Sequence, residues 1–471
     1  MKTAWTVDQI RRAEATIMGE PDPQTGVAPG DDGTLMRRAA AGLAAAVLRE
    51  LRPASGRTVH LLVGPGNNGG DALWAGAFLR RCNVRVRAHL LTGRGHEAGL
   101  AALLRAGGTV TDVEGLHQPC DLVIDGLFGI GGRAGEPDRA IAEAIGDTPV
   151  VAVDVPSGLA SDSCAPSGLR ADLTVTFGGH KIAHLTQPDR CGPTELVEIG
   201  LDLDATGPPA LRQWEAADVA AAWPVPTRHD HKYTRGVVGI DAGSAAYPGA
   251  ARLALAGALN TGAGMIRHLG DADVSLLAEF PSVVLAEGRC QAFLAGSGWG
   301  DRDTRAARAR LTEWTDTAPC VLDADALRPD LLDGLDLSDS LLTPHAGELA
   351  RMLGVERSEV EAEPMDAARR AADRFGATIL LKGGLQYVAT PGETTVQMPV
   401  PGPAWTARAG SGDTLAGACA ALLATGVDAT LAAVLGASLQ ALTAADHPGP
   451  RPPERLAERF PDTLAALLAE R

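Results

Sequence analysis

The sequence predicts two α/β domains in series, and three observations lead to this fold class. The 471 residues exceed the size at which a single hydrophobic core usually keeps growing. In both halves, short runs rich in Val, Ile and Leu alternate with Ala- and Leu-rich segments of helical period, as in α/β folds. Between these halves, residues 206–232 are rich in proline and break the periodicity, so we expect the domain junction there.

The composition indicates a folded protein and argues against two classes of partner. Hydrophobic residues make up 45% and charged residues 21% of the chain, which is ordinary globular usage. A formal charge of −16, with no basic stripe interleaved with aromatics, disfavours nucleic acid. No apolar run approaching a membrane span is expected, and the seven scattered cysteines suggest reduced thiols. We therefore expect a cytoplasmic protein without membrane contact.

We place the first domain at residues 1–210, a linker leading into the second domain at 211–232, and the second domain at 233–471. The first domain contains the predicted strands TVHLLVG, VRVRAHLL, CDLVIDGLFG and TPVVAVDVPSG, which indicate a parallel sheet. Each of these strands ends in a glycine-rich turn, and ligands bind at the carboxyl ends of strands in such sheets. Residues 19–33 are turn-forming and are expected to join two helices.

The second domain repeats this alternation. Its predicted strands are GVVGIDAG, QAFLAGSGWG, APCVLDADAL and ATILLKGG. Helices are expected from Pro248 to Thr261 and in DTLAGACAALLATG, which follows a Gly-Ser-Gly-Asp turn. The turns at the strand ends are again the expected place for chemistry.

Three polar loops are predicted to meet at one edge of the first sheet. The segment GPGNNGGD, residues 64–71, lies between a strand and a helix and offers free backbone N–H groups to a phosphate. Taken alone, it is more often a tight turn without a ligand. Two further loops contain Asp125 and the sequence DVPSG. Asn68, Asp125 and Ser157 offer oxygens with one negative charge, which suits a monovalent cation better than zinc.

Together, PGNNGGD, the D-x-L-F-G-x-G run and DVPSG resemble the NAD(P)HX epimerase family over roughly the first 200 residues. The resemblance implies a Rossmann-like fold and K+ bound by Asn68, Asp125 and Ser157. It also implies substrate contacts from two loops and one strand end: Asn67, Asn68, Gly69, Gly70, Asp71, Gly129, Ile130, Gly131, Gly132, Arg133, Ala134, Gly135 and Asp154.

Epimerisation requires reversible proton or ring chemistry at the hydrated carbon, and Asp154 and Lys181 are the acid–base candidates. We prefer Asp154, because a lysine at the end of a strand is more often exposed than desolvated. The sequence departs from the family pattern at Ala72, where another glycine is usual, and at FGGHK around Lys181.

The second candidate site is built around AGSGDT, residues 409–414. This turn opens a helix, so its backbone amides can hold an anion while Asp413 accepts a proton from an attacking hydroxyl. In isolation, Asp413 would more often be a partner of the helix dipole. Lys382 in LKGG supplies a cation for a phosphate. His345 lies in the Pro-bounded turn TPHAGE, where it either faces a ligand or caps a helix.

TPHAGE, the K-G turn and GSGD, in this order, resemble the ribokinase-like NAD(P)HX dehydratase family from about Asp230 onward. The resemblance implies substrate contacts at Ala250, Gly298, His345 and Asp413. It implies an adenine nucleotide on Lys382, Gly383, Gly384, Leu385, Gln386 and Gly412, with ADP as co-substrate and Mg2+ accompanying it. Ala409 and the KGGLQ sequence depart from the family pattern but keep its backbone pattern.

These resemblances imply a bifunctional nicotinamide-nucleotide repair enzyme. It would interconvert the R and S epimers of NADHX and NADPHX and dehydrate the S form to NAD(P)H with ADP. The residues leave ADP and ATP open, but the fused arrangement resembles the bacterial form that is linked to ADP. We also expect a homo-oligomer. The alternative is a ribokinase-like small-molecule kinase fused to a non-catalytic nucleotide-binding module.

Overall fold

A computed structural model of the chain describes residues 1–19, 33–129, 135, 139–271 and 275–470. The chain forms two compact units, Thr3–Ala210 and Leu211–Arg471, the latter together with Met1 and Lys2. Both units alternate strands with helices, which confirms the predicted α/β class.

The first unit contains a seven-stranded sheet whose strand pairs are all parallel. The strands of the unit, including two outside this sheet, are β1 (Lys2–Trp5), β2 (Thr58–Val63), β3 (Arg85–Leu90), β4 (Thr109–Thr111), β5 (Leu122–Gly126), β6 (Val150–Val153), β7 (Leu173–Phe177), β8 (His180–Lys181) and β9 (Thr194–Val197). The sheet order is β4-β3-β2-β5-β6-β7-β9, and β1 pairs separately with β8. Strands β2, β5, β6 and β7 are buried along their whole length, which explains their nearly continuous apolar sequences.

The helices of the first unit connect and flank this sheet. They are α1 (Val7–Met18), α2 (Thr34–Glu50), α3 (Asn67–Arg81), α4 (Glu97–Arg105), α5 (Arg139–Ile145), α6 (Ile182–Thr186) and α7 (Pro188–Cys191). A capping box between Thr6 and Gln9 fixes the start of α1. Helix α3 begins directly in the predicted GPGNNGGD turn, so its N-terminal amides point to the carboxyl edge of the sheet.

The second unit is built on a larger, mixed sheet. Its strands are β10 (Leu211–Gln213), β11 (Val237–Asp241), β12 (Met265–His268), β13 (Ala292–Ala295), β14 (Cys320–Leu322), β15 (Leu341–Leu342), β16 (Thr378–Leu381), β17 (Tyr387–Ala389) and β18 (Val396–Met398). Their order is β12-β11-β13-β14-β15-β16-β17-β18-β10. The pairs are parallel except for those that β17 makes with β16 and β18.

Twelve helices complete the described part of this unit. They are α8 (Ala216–Ala222), α9 (Pro248–Thr261), α10 (Leu276–Glu279), α11 (Thr304–Thr315), α12 (Pro329–Leu332), α13 (Ala346–Leu353), α14 (Arg357–Ala362), α15 (Pro364–Phe375), α16 (Ser411–Leu423), α17 (Ala429–Asp446), α18 (Pro453–Ala457) and α19 (Phe460–Ala469). The predicted linker 211–232 contains β10 and α8, and both belong to the second unit.

The expectation that no segment approaches a membrane span needs one correction. Helix α17 is long and apolar enough to pass that test by length and composition. Most of it is buried inside the second unit, where it packs against α16. Its apolar surface on all sides is therefore that of a core helix.

Helices α9 and α16 touch through their backbones. A Cβ atom at Gly417 would lie 2.1 Å from the carbonyl oxygen of Ala254, and one at Gly257 would lie 2.0 Å from that of Thr414. Only glycine permits this approach, so these two positions fix the placement of α16, whose first turn contains Asp413.

We expect Gly417→Ala to destabilise the second unit by about 1–3 kcal/mol, because the added methyl group would overlap backbone that cannot rotate away. Gly249→Ala is the control, since a Cβ at this helical position meets nothing within 4 Å. Urea unfolding followed by tryptophan fluorescence measures both, because the second unit holds Trp214, Trp223, Trp299, Trp314 and Trp405. Equal stability of the two variants would contradict the proposed close contact.

Candidate functional sites

A cavity of about 550 Å³ opens at the carboxyl ends of β2, β6 and β7 in the first unit. Several of the predicted residues line it, together with aromatic and aliphatic side chains. Its polar lining consists chiefly of Glu14, Asn67, Asn68, Asp71, Asp154 and Lys181. The parallel topology thus brings the separate loops to one edge, as predicted.

Lys181 and Asp154 form a buried ion pair at the floor of this cavity. Lys181 Nζ lies 2.5 Å from Asp154 Oδ1 and also donates to Thr176 Oγ1 at 3.0 Å and to the carbonyl of Phe177 at 3.2 Å. Lys181 is only 1% exposed, so the expectation of an exposed strand-end lysine was wrong. Asp154 adopts a left-handed backbone conformation, with φ of 69°, which non-glycine residues hold chiefly where the surroundings demand it.

His184 holds both members of this pair through their backbones. Its Nδ1 accepts a hydrogen bond from the Lys181 N–H at 3.0 Å, so its Nε2 donates to the Asp154 carbonyl at 2.7 Å. Burial, with a smaller contribution from the charge of Lys181, lowers the pKa of His184 to about 3. The ring is therefore neutral and acts as a fixed brace. The sequence analysis missed His184, although its spacing of three residues from Lys181 was a usable signal.

Two further carboxyl groups line the cavity. Asp71 is 6% exposed, and its Oδ1 has no hydrogen-bond partner among the described residues. Burial, followed by repulsion from Asp154, raises the pKa of Asp71 well above its usual range. Burial likewise raises the pKa of Glu14, which the sequence analysis did not single out. The cavity therefore brings two carboxyl groups with raised pKa values together with an ion pair.

The other predicted contacts are placed less directly. Gly69 and Gly70 are buried in the first turn of α3 rather than lining the cavity. Gly129 packs its α-carbon against the Asn68 side chain, and Gly135 donates to the Gly158 carbonyl at 3.0 Å. The remaining predicted contacts lie outside the described residues: Ile130, Gly131, Gly132, Arg133 and Ala134.

The three predicted potassium ligands do come together. The fully buried carboxylate of Asp125 accepts from Ser157 Oγ at 2.5 Å and from the Ser157 N–H at 2.8 Å. The Asn68 amide nitrogen donates to the Val153 carbonyl at 2.6 Å, and its Oδ1 faces Gly129. Burial raises the pKa of Asp125 despite these bonds, and no cationic side chain pairs with it within the described ranges.

In the second unit, a buried aspartate organises the carboxyl edge of the sheet. Asp323, at the end of β14, lies 2.6 Å from Lys382 Nζ. It also accepts from Thr343 Oγ1 at 2.8 Å and from Ser297 Oγ at 2.9 Å. Burial alone would raise the pKa of Asp323, but Lys382 and these hydrogen bonds outweigh it and lower that pKa. The sequence analysis identified Lys382 but missed Asp323 and Ser297.

Asp413 lies in the first turn of α16, close to this cluster. Gly410 precedes the helix with φ of 89°, and an added Cβ at Gly412 would lie 3.1 Å from Lys382 Nζ. Burial, followed by the negative charge of Asp323, raises the pKa of Asp413 to about 7. Gln440, which the sequence analysis also missed, supports the turn by donating to the Ser411 carbonyl at 2.9 Å. Asp413 thus has the proton affinity of a general base for neutral pH.

His345 begins α13 and lies next to Lys382 across a parallel bridge. Its Nδ1 accepts from the N–H groups of Gly347 and Glu348, at 3.0 and 3.2 Å. The backbone N–H of His345 donates to Glu348 Oε2 at 2.8 Å, which completes a capping box. The His345 side chain is 57% exposed. It therefore caps the helix with more than half of its side chain exposed, and its Nε2 lies 3.4 Å from Glu348 Oε1.

The predicted nucleotide loop follows Lys382. Gly383 and Gly384 are exposed, whereas Leu385 and Gln386 are half-buried. Gln386 Oε1 is shielded from solvent and has no hydrogen-bond partner among the residues that the structure describes. Gln386 and both glycines border a small cavity of about 20 Å³.

Ala250 and Gly298 lie together at the start of α9. A Cβ at Gly298 would lie 2.5 Å from the Ala250 methyl carbon and 3.1 Å from Tyr247 Cβ. Tyr247, which is 57% exposed, also lines a neighbouring cavity of about 400 Å³. Gly298 therefore lies close to Ala250 and to Tyr247, and of these three only Tyr247 lines the cavity.

The two sites define a two-domain α/β enzyme. Its first unit combines an ion pair with carboxyl groups of raised pKa, and its second places Asp413 in the first turn of α16 beside the Lys382–Asp323 pair. Residues 32–183 match the family described as YjeF-related protein N-terminus, and residues 238–458 match the family described as NAD(P)H-hydrate dehydratase.

Curated relatives match across both units. The bifunctional NAD(P)H-hydrate repair enzyme Nnr of Mycobacterium leprae is 42% identical over 100% of both chains. Its counterpart in Escherichia coli is 31% identical, with 89% of this chain and 85% of that protein covered. The chain belongs to the family of bifunctional NAD(P)H-hydrate repair enzymes.

Solved structures resemble the C-terminal part of the chain. A ribokinase-like superfamily protein from Enterococcus faecalis is 20% identical, with a TM-score of 0.49, and covers 55% of this chain and 96% of its own. An ADP/ATP-dependent NAD(P)H-hydrate dehydratase from Bacillus subtilis, co-crystallised with ATP and Mg2+, is 25% identical, with a TM-score of 0.48. It covers 55% of this chain and 97% of its own.

We expect Asp413→Asn to stabilise the second unit increasingly as the pH rises. Asp413 keeps its proton up to about pH 7 when folded, whereas an unfolded aspartate loses it near pH 4. The stability that this proton contributes is therefore complete below about pH 4 and is lost as the pH rises through about 7. Between about pH 5 and pH 8, the variant should gain roughly 2–3 kcal/mol relative to wild type.

Urea unfolding of both proteins at the two pH values measures this difference. The exposed Asp330, in the same unit, provides the control, because Asp330→Asn should show no such gain. A stability difference between Asp413→Asn and wild type that stays constant with pH would show that Asp413 titrates normally.

Proposed function

We propose that the first unit interconverts the R and S epimers of NADHX and NADPHX and that the second dehydrates the S epimer to NAD(P)H with ADP. The observation that carries this proposal is the pairing of two unlike sites in one chain. One site has an ion pair and carboxyl groups of raised pKa in one cavity, and the other has Asp413 in the first turn of a helix that begins with an uncapped glycine. Family membership supplies the substrate class.

In the first unit, the substrate hydroxyl group would exchange its proton with Asp154. Loss of that proton lets the bond between the ring nitrogen and the hydrated carbon break, which leaves an aldehyde. Asp71, whose pKa burial raises, would supply a proton to the nitrogen, and closure of the ring on the other face would reverse both transfers. Lys181 holds Asp154 in place and stabilises its charge throughout.

In the second unit, Asp413 would take the proton of the substrate hydroxyl group. The oxygen of that hydroxyl group would then attack the β-phosphorus of ADP. A new P–O bond forms, the P–O bond to AMP breaks, and AMP leaves. The phosphate then leaves the hydrated ring carbon, and the neighbouring ring carbon gives a proton to that departing phosphate, which restores the double bond of NAD(P)H. The free amides of α16 and the Lys382 ammonium would stabilise the transferring phosphoryl group.

The remaining contacts follow from this arrangement. Ala250, Gly298 and His345 would contact the hydrated nucleotide, while Gly383, Gly384, Leu385, Gln386 and Gly412 would contact the adenine nucleotide. Mg2+ bound with the nucleotide would neutralise phosphate charge. The exposed side chain of His345 and the exposed glycines after Lys382 support these assignments.

We further propose that Asn68, Asp125 and Ser157 hold K+ in the first unit. The residues fit such an ion, because Asp125 is a fully buried carboxylate without a cationic partner among the described residues, and the Ser157 hydroxyl adjoins it. The ion would balance this charge and fix the loop beside the cavity. The seven free thiols also support a reducing, cytoplasmic location. A homo-oligomer, common among soluble enzymes, completes the proposal.

Incubation with acid-hydrated NADH tests the function directly. With ADP, the absorbance of reduced nicotinamide should return for the whole hydrate, because the R epimer is converted and then consumed. Recovery that stops at the S fraction would remove the epimerase assignment. A phosphorylated product without recovery of absorbance would instead favour a small-molecule kinase. Faster recovery with ATP at equal concentration would overturn the choice of ADP.

Asp413→Asn should lower the rate of dehydration by about a hundredfold to ten-thousandfold, because the amide cannot take the hydroxyl proton. Epimerisation should continue, as chromatography of the two epimers would show. Asp428→Asn is the matched control: Asp428 also begins a helix of this unit, where it accepts from the Leu431 N–H at 2.7 Å. Near wild-type dehydration by Asp413→Asn would refute the proposed base.

Epimerisation should require a small monovalent cation. Replacing K+ with tetramethylammonium should slow it, and Asp125→Ala should remove the dependence together with most of the activity, because the buried charge that holds the ion is gone. The exposed Asp189 provides a control, since Asp189→Asn should keep both the cation dependence and the epimerase activity. Equal epimerisation rates in the two salts would exclude the cation site.

A further inference from the structure

The roles assigned so far do not explain Asp323. It lies at the end of β14, is 1% exposed, and was not singled out from the sequence. Each of its oxygens is nevertheless engaged. Oδ1 contacts Lys382 Nζ at 2.6 Å and Thr343 Oγ1 at 2.8 Å, and Oδ2 accepts from Ser297 Oγ at 2.9 Å.

Burying such an ion pair costs free energy. Removing an aspartate and a lysine from water costs several kcal/mol for each ion, and their attraction offsets this only with good geometry and further hydrogen bonds. Here the partners come from three different segments, so the carboxylate has one allowed orientation. Lys382 consequently has a fixed position, beside Gly412 in the first turn of α16.

The Asp323 carboxylate also acts on Asp413 electrostatically. The charged and polar groups that face Asp413 are Asp323, Lys382, Ser297 and Glu348. After burial, Asp323 is the largest influence, and it raises the proton affinity of Asp413. Lys382 and a hydrogen bond from Ser297 act in the opposite direction, while Glu348 acts with Asp323. Without Asp323, the ammonium of Lys382 would be left to pair with Asp413.

We propose that Asp323 is a positioning residue of the second site, which holds the Lys382 ammonium beside the first turn of α16 and keeps that cation from neutralising Asp413. The proposal rests on the phosphoryl-transfer function proposed above. Asp323 acts through Lys382 and Asp413. It makes a cation available for phosphate and a strong base available for the hydroxyl in the same small volume.

The pH dependence of dehydration tests this role. In wild type, kcat/KM should fall as the pH drops through about 7, because Asp413 gains its proton. In Asp323→Asn, this acid limb should move to lower pH by roughly one unit, with a lower plateau, because a weaker base remains. In Ser297→Ala, it should move to higher pH, because the nearby Ser297 hydroxyl lowers the pKa of Asp413 and is lost in this variant.

Opposite shifts in the two variants are not expected from mere loss of packing. Asp330→Asn, on the surface of the same unit, should leave the limb in place. If Asp323→Asn does not fold, Ser297→Ala still tests the direction in which the acid limb moves. An unmoved limb in either folded variant would overturn the proposal.

Carboxyl NMR with 13C-labelled aspartate separates this proposal from the proposed function. The Asp413 signal is assigned by its absence in Asp413→Asn, and its titration needs no turnover. A lower titration midpoint in Asp323→Asn supports the inference even if wild type fails to dehydrate hydrated NADH, a result that would overturn the function alone. An unchanged midpoint overturns the inference even if dehydration is observed.

Discussion

Both sites depend on a buried lysine whose charge is matched by a buried aspartate at the carboxyl edge of a parallel sheet. Lys181 pairs with Asp154 in the first unit, and Lys382 pairs with Asp323 in the second. Neither pair stabilises the fold efficiently, because the cost of desolvating two ions largely offsets their attraction. Each aspartate also accepts hydrogen bonds from hydroxyl groups, Asp154 from Thr176 and Asp323 from Thr343 and Ser297. The pairs therefore set the electrostatics around which the other groups are arranged.

What distinguishes the two sites is the neighbour of each pair. In the first unit, the neighbours are the carboxyl groups of Asp71 and Glu14, whose raised pKa values favour proton donation. In the second unit, the neighbour is Asp413, whose pKa of about 7 allows it to accept a proton near neutrality. The first setting favours reversible proton exchange, and the second favours activation of a hydroxyl next to a cation. One type of buried pair thus supports two different reactions.

The fold and the position of both sites were predictable from the sequence, because alternating strands and helices place glycine-rich turns at one sheet edge. The residues that hold the site side chains in place were not predictable from it. DADAL offers two aspartates, and only the backbone turn at Ala324, with φ of 49°, determines that Asp323 points into the cluster. Likewise, nothing in a single sequence shows that Lys181 is buried or that His184 braces it. Burial arises from contacts between distant segments, which local patterns do not encode.

The close approach of α9 and α16 explains how the second site keeps its geometry despite these costs. The extended apolar core around α16 and α17 anchors the helix along its length, and the glycine contacts allow α9 to pack directly against its backbone. The first turn, where Asp413 lies, then has little freedom to relax toward Lys382. A carboxylate free to move would form an ion pair with that ammonium and lose its affinity for a proton. Rigid packing behind the helix is thus the condition under which a base and a cation can remain close without neutralising each other.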